Sequence, residues 1–388
     1  MKKHLIILFL LLISGFSVWA QETSGDTLID PNGQKKTFID PYDSAFDISS
    51  YLFDLHGFLP IVSPITEPGV GIGAALAGVF FIPKKKKAGE PKRFKTPDIT
   101  GFAGGYTKNK TWFAGAGYLG FWKDDHIRYR GVFGYADVNL KYYGEGDGYL
   151  EDHPISFNLK TYILLQQAVF RIKNSNFFIG GKYLYTNIKA SLDNKEDYDW
   201  FDPEDFKQTS SGVGLITEYE NFNNILSPSR GWRIHADYIQ NFDFLGSSKN
   251  FGIFKFYSVW YQPVTNFWTS GLRLATYAAT GDAPFYNLPF IDMRGIPVMR
   301  YQGKETLLIE TEQEFTIKYR WSVVGFTGYG RTFNKNLQDE TTGANAWNAG
   351  GGFRYLIARL LGLKMGLDAG FSKDSWSIYI VVGSAWLR

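Results

Sequence analysis

Polar and apolar positions alternate along most of this chain. Over 307–321 one set reads Leu307, Ile309, Thr311, Gln313, Phe315, Ile317, Tyr319 and Trp321. The set between them reads Leu308, Glu310, Glu312, Glu314, Thr316, Lys318 and Arg320. A period of two puts the sets on opposite faces of a strand. One such strand also fits a soluble sheet, so repetition decides. Trp232, Ile234, Ala236 and Tyr238 alternate with Arg233, His235 and Asp237. Leu363, Met365, Leu367, Ala369 and Phe371 alternate with Lys364, Gly366, Asp368 and Gly370, and the last segment sets Trp376, Ile378, Ile380, Val382 and Trp386 on one face. Less regular runs occupy 69–82, 98–107, 110–122, 127–142, 154–172, 176–190, 208–220, 250–262, 267–280 and 345–357. With the strand holding Phe326, these come to about fifteen strands; single-chain bacterial barrels have an even number, so about sixteen are expected. The missing one falls in 57–66 or in a split of 127–172.

Trp and Tyr recur near strand ends, at Trp122, Tyr142, Tyr219, Trp232, Tyr261, Trp268 and Trp321, as interfacial girdles require. The connections are polar: Lys84 to Lys87 with Gly89 and Pro91, the glycine-rich 144–148, the acidic 193–205, and 334–343. The predicted fold class is therefore all-β, a transmembrane antiparallel barrel.

The N-terminus carries an export pattern. Lys2 and Lys3 precede an apolar run, and Val18 and Ala20 stand at the −3 and −1 positions of a cleavage site, so residues 1–20 read as a signal peptide. Residues 21–66, rich in Pro and Asp, read as a periplasmic lead-in, and 67–388 as the barrel. Beyond the signal no apolar stretch reaches the roughly eighteen residues a spanning helix needs. Aromatic residues make up 18% of the chain, with 42 Gly and no Cys. That excludes disulfides and thiolate chemistry. A net charge of +3 gives no case for nucleic acid.

Enzyme chemistry finds little support. Gly71, Gly73 and their neighbours lack the third glycine of a dinucleotide loop. His56, His126, His153 and His235 show no zinc spacing, so no metal or other cofactor is expected. His235 beside Asp237 lacks an assignable serine. The acidic residues of 193–205 do not follow the calcium-loop spacing.

A long connection, 281–302, contains Met293-Arg294-Gly295-Ile296 and leads into the strand bearing Glu310, Glu312 and Glu314. Together with the turn 221–231, which holds Pro228 and Gly231, and the closing residues through Gly383 and Trp386, this resembles the BamA/TamA superfamily (the bacterial surface antigen family). The resemblance covers 208–388. It implies a sixth extracellular loop folded into the lumen, with Arg294 and Gly295 matching the family's Arg-Gly, and Glu312 matching its lumenal acid. The acid of the next strand is absent, because Phe326-Thr327-Gly328 stands there; Glu310 or Glu314 is the expected substitute. Physical reasoning agrees on one point: a buried arginine needs a carboxylate, and the next strand offers three. An Arg294–Glu312 contact is thus expected. Gly383 and Trp386 resemble a C-terminal insertion signal, and Gly69, Gly71, Gly73 and Gly78 are expected to weaken a first strand at the barrel seam.

The resemblance implies outer-membrane localisation and a role in assembling or translocating other proteins. Expected partners are outer-membrane lipid and lipopolysaccharide, the barrel assembly machinery for the chain's own insertion, and a client or periplasmic protein. About 45 mature residues before the barrel leave no room for the family's periplasmic POTRA domains. A passive pore is the alternative, and an outer-membrane lipid hydrolase a more distant one.

Overall fold

The computed structural model describes residues 38–49, 57–65, 69–82, 98–142, 153, 155–192, 207–335, 341–373 and 375–386. Residues 1–20, expected to be a signal peptide, and the connections 84–91, 144–148 and 193–205 lie outside them. Apart from a two-residue ladder at Thr341–Thr342, the strands number sixteen. They are β1 (Gly57–Ile65), β2 (Gly73–Ile82), β3 (Asp98–Thr107), β4 (Trp112–Trp122), β5 (Ile127–Tyr142), β6 (Ile155–Arg171), β7 (Phe177–Leu192) and β8 (Lys207–Glu220). Then follow β9 (Gly231–Asn241), β10 (Phe251–Pro263), β11 (Trp268–Gly281), β12 (Glu305–Lys318), β13 (Trp321–Lys335), β14 (Asn345–Ala358), β15 (Leu363–Ser372) and β16 (Trp376–Val382).

Each strand pairs antiparallel with the next, from β1 through to β16. Alternation decides which way each side chain points. In β12, Leu307 and Ile309 are 46% and 45% exposed on the outer wall, whereas Leu308 and Glu310 are 1% exposed inside. In β9 the inward residues include His235 and Asp237, both buried, opposite outward Trp232 and Tyr238. No helix among the described residues is long and apolar enough to cross a membrane.

Short turns at 123–126, 172–176, 264–267, 319–320 and 359–362 share one end of the barrel, and long connections such as 282–304 share the other. By the usual asymmetry these are the periplasmic and extracellular ends.

The first strand lies inside the segment read as a lead-in, at one of the two places where the missing strand was expected. The barrel therefore begins at Gly57 rather than at residue 67. The glycine strand is not at the seam: Gly69 and Gly71 lie outside it in the preceding connection, and β2 is paired on both sides. The free edge belongs to β1, which carries Pro60 and Pro64 opposite Gly78 and Ala74. Residues two apart direct their N–H groups to the same neighbour, and proline has none to give. An unbroken nine-residue register with β2 means both prolines turn their missing donors to the other edge. Among the described residues no ladder joins β16 to β1. The strands beside this gap are short, seven residues in β16 and nine in β1, against 16, 17 and 16 in β5 to β7.

The lumen is not the charged tube that β12 alone suggests. Its extracellular half is an apolar core, where Ala75, Val138, Phe157 and Leu159 of the wall pack against Tyr286, Phe290 and Met299 of the connection 282–304. Charge gathers nearer the periplasmic end.

Candidate functional site

The connection between β11 and β12 enters the lumen as a narrow hairpin. The Ile291 N–H donates to the Tyr301 carbonyl and the Gly303 N–H to the Pro289 carbonyl, so the two legs pair and present 293–300 at the tip. Gly295 turns there with φ +87°, and a Cβ on it would lie 2.7 Å from the Gly370 carbonyl carbon. Only glycine fits that close crossing of two backbones. The tip is tied on both sides: Gly295 donates its N–H to the Tyr379 hydroxyl at 2.8 Å and accepts from Ser372 Oγ at 2.9 Å. Asn348 Nδ2 donates to the Arg294 carbonyl at 2.9 Å.

Arg294 is buried. Its Nη1 lies 2.7 Å from Glu312 Oε2 and 2.6 Å from Asp368 Oδ2, and its guanidinium carbon sits 3.5 Å over the Phe326 ring. Arg354 of β14 forks onto Asp368, with Nη2 at 3.0 Å from Oδ2 and Nη1 on Oδ1, and it approaches Glu312 at 3.9 Å. Two guanidinium groups and two carboxylates thus balance. Arg294 hydrogen-bonds Asp368 and is ion-paired with Glu312, while its Nε and Nη2 have no hydrogen-bond partner among the described residues; buried charge is tolerable when it is paired in this way.

The acid missing at Gly328 is replaced, but by neither residue expected from the sequence. Asp368 of β15 takes the place. Glu310 instead pairs with Arg273 of β11 at 2.7 Å, and Arg273 also donates to the Asp292 carbonyl at 3.0 Å, making a second strut to the loop. Gly328 lies opposite Glu310, and a Cβ there would stand 2.5 Å from Glu310 Cγ. The glycine makes room for the neighbouring carboxylate. Glu314 pairs with Lys364 at 2.5 Å. The three glutamates therefore serve three separate pairs.

A second group occupies the periplasmic rim. In the turn 221–230 Pro228 is buried, and Gly231, the first residue of β9, has φ +113°. This turn reaches the far wall: Asn224 Nδ2 donates to the Leu361 carbonyl at 2.8 Å, and Ser227 Oγ accepts from the Lys364 N–H at 3.0 Å. Gly383 follows β16 and donates to the Lys364 carbonyl at 2.7 Å, while Ser384 donates to the Leu226 carbonyl at 3.0 Å. The chain then turns inward. Trp386 is buried against Tyr261, with ring centroids 5.6 Å apart, and the Tyr261 hydroxyl meets Ser384 Oγ at 2.7 Å. The expectation that Trp386 shares the outer face of Trp376 is thus corrected. Val382 stays on that outer face, opposite Met365, but is buried there under Ile48.

Residues 38–49, read from the sequence as part of the periplasmic lead-in, hold an ion-pair cluster that the sequence reading did not assign. Here Asp40, Asp43 and Asp47 surround Arg320 of the turn between β12 and β13. Nη2 is 2.6 Å from Asp40, Nη1 2.7 Å from Asp47, and Nε contacts Asp43. Arg359, from the turn between β14 and β15, also holds Asp40. Its hydrogen bond keeps the Asp40 carboxyl down at about 2, against the opposing effect of burial. Three aspartates spaced three and four apart were the available signal. The lumenal His235 has Glu218 at 3.0 Å and Asp237 at 2.8 Å on its two ring nitrogens, which is a bracing arrangement.

No protein-family model matches the chain, and no curated protein matches it. Solved structures do. BamA from Haemophilus ducreyi lacking POTRA domains 1–3 superposes with a TM-score of 0.57 at 11% identity, over 84% of this chain and 70% of that one. CdiB from Escherichia coli gives 0.55 at 13% identity, over 84% and 63%, and CdiB from Acinetobacter baumannii 0.53 at 9%, over 84% and 59%. The chain spans less than two thirds of either CdiB. At such identities the likeness is one of fold, and the fold of this chain is that of a BamA-like outer-membrane barrel.

Proposed function

We propose that this protein assists the insertion or translocation of other polypeptides at the outer membrane, using the gap between β16 and β1 as its working edge. The observation that carries the reading is the combination of a lumen filled by the hairpin with a proline-bearing edge that no ladder covers among the described residues. A passive pore needs a continuous aqueous path, and here the hairpin 285–301 packs into an apolar core within the barrel. An incoming strand needs an exposed edge, and Phe58 and Val62 retain the donors that Pro60 and Pro64 lack on that side of β1.

Depleting the protein and profiling the outer-membrane proteome tests this. Loss of one or a few barrel or surface proteins is expected, and an unchanged profile overturns the proposal. Because the chain has no Cys, paired substitutions across the gap (Val62→Cys with Ile378→Cys or Ile380→Cys) give the only disulfides. Cross-linking across the gap is expected to stop that activity, and reduction to restore it. In planar bilayers the intact protein is expected to conduct little, and deletion of 285–301 to raise conductance.

A further inference from the structure

Residues 38–49 precede β1 in the chain, yet the barrel residues they contact among the described residues belong to the other side of the gap. Ile39 bridges Phe46, and Asp40 and Ala45 close the turn between them. This small hairpin turns Asp40, Asp43 and Asp47 toward Arg320. The backbone continues the contact: Ile48 donates its N–H to the Ile357 carbonyl at 2.8 Å, and Ser49 Oγ accepts from the Leu360 N–H at 3.0 Å. Asp47 also accepts from the Arg359 N–H at 2.8 Å, and the Tyr355 hydroxyl donates to the Phe46 carbonyl at 2.8 Å. Ile48 is buried among Ala358, Leu363 and Val382, the last being the final residue of β16.

The seven residues 50–56 then connect this docked segment to Gly57, the first residue of β1. One end of the segment is thus covalently joined to one edge of the gap, and its body is ion-paired beneath β12 to β16 on the other edge. We propose that residues 38–49 anchor a strap across the barrel seam at the periplasmic rim, doing with aspartate–arginine pairs and Ile48 what the strand ladders do elsewhere around the wall. The proposal deepens the reading of the gap as a working edge by naming what holds it shut. Arg320 is the main anchor, since it meets three carboxylates and two carbonyls, of Phe46 and Leu356.

Hydrogen exchange of the full mature chain in lipid nanodiscs tests this without any client, so its outcome is independent of the function proposed above. The first variant carries Asp40→Asn, Asp43→Asn and Asp47→Asn. The second keeps every ion pair but carries a protease site within 50–56 and is cut after folding. A strap predicts exchange in β1 and β16 at least roughly tenfold faster in both, with β5 to β7 unchanged. Local docking that does not bridge the gap predicts no change at β1 after cutting, and that result overturns the proposal. So does acceleration spread evenly over all strands, which marks general loss of stability.

Discussion

The in-folded hairpin meets two unlike walls. Toward β11 to β16, apolar packing of Ile291, Met293 and Ile296 on Tyr277 and Leu308 is joined by charge and directed hydrogen bonds: Arg294 on Glu312 and Asp368, Arg273 on the Asp292 carbonyl, and Gly295 on Tyr379. Toward β2 to β7 it is held by apolar burial, with Tyr286, Phe290 and Met299 against Ala77, Val138 and Leu159. Burial is non-directional and tolerates a shift of a few ångströms, whereas an Arg–carboxylate pair is satisfied in one geometry. The difference teaches that the apolar wall keeps the hairpin inside and the charged wall decides where its tip sits.

Replacing Arg294 by Ala breaks the comparison most. It leaves Glu312 and Asp368 short of a counter-charge, a loss of about 3–5 kcal/mol for a disrupted buried pair. Protease cleavage and hydrogen exchange within 285–301 are expected to rise sharply while the strands stay protected. Met299→Ala attacks the other wall. A buried methionine cut to alanine costs about 2–5 kcal/mol, expected as a lower unfolding temperature with the tip contacts at Gly295 kept. Equal exposure of the tip in both variants would erase the proposed division of labour.

Gly328→Asp sharpens it. Restoring an acid there forces a side chain against Glu310 and Asn348, at about 1–3 kcal/mol for overpacking, so destabilisation is expected in a heat-dissociation gel, not rescue. The smallest effect concerns pH. Asp40 is held at about 2 in the folded chain against an ordinary 3.8, so its share of stability is complete above pH 4 to 5 and is lost as pH falls through 2. Protease access to 38–49 is expected to increase over that interval and to stay flat in Asp40→Asn.

The wall was legible because its signal is local. Alternation assigns Leu308, Glu310 and Glu312 inward from neighbouring residues alone, and His235 and Asp237 likewise. β1 was less legible because Pro60 and Pro64 disrupt the apolar rhythm, although it was one of two places named for the missing strand. The Arg294–Glu312 contact could be anticipated, since a buried arginine demands a carboxylate and the next strand offers several.

The identity of the second carboxylate could not. Asp368 was readable as inward-facing, but it lies 74 residues beyond Arg294. Only the curvature of the wall brings β15 level with the hairpin tip, and only the β11–β12 register sets Arg273 directly opposite Glu310. Trp386 misled for a related reason, because period-two extrapolation assumes a strand that in fact ends at Val382, after which Gly383 turns the chain into the periplasmic mouth. The sequence alone determined which face of each strand meets lipid, because that depends on a repeat of two residues. Which charges pair, and what lies across the seam, was decided by tertiary structure, because those choices depend on strand stagger and chain path.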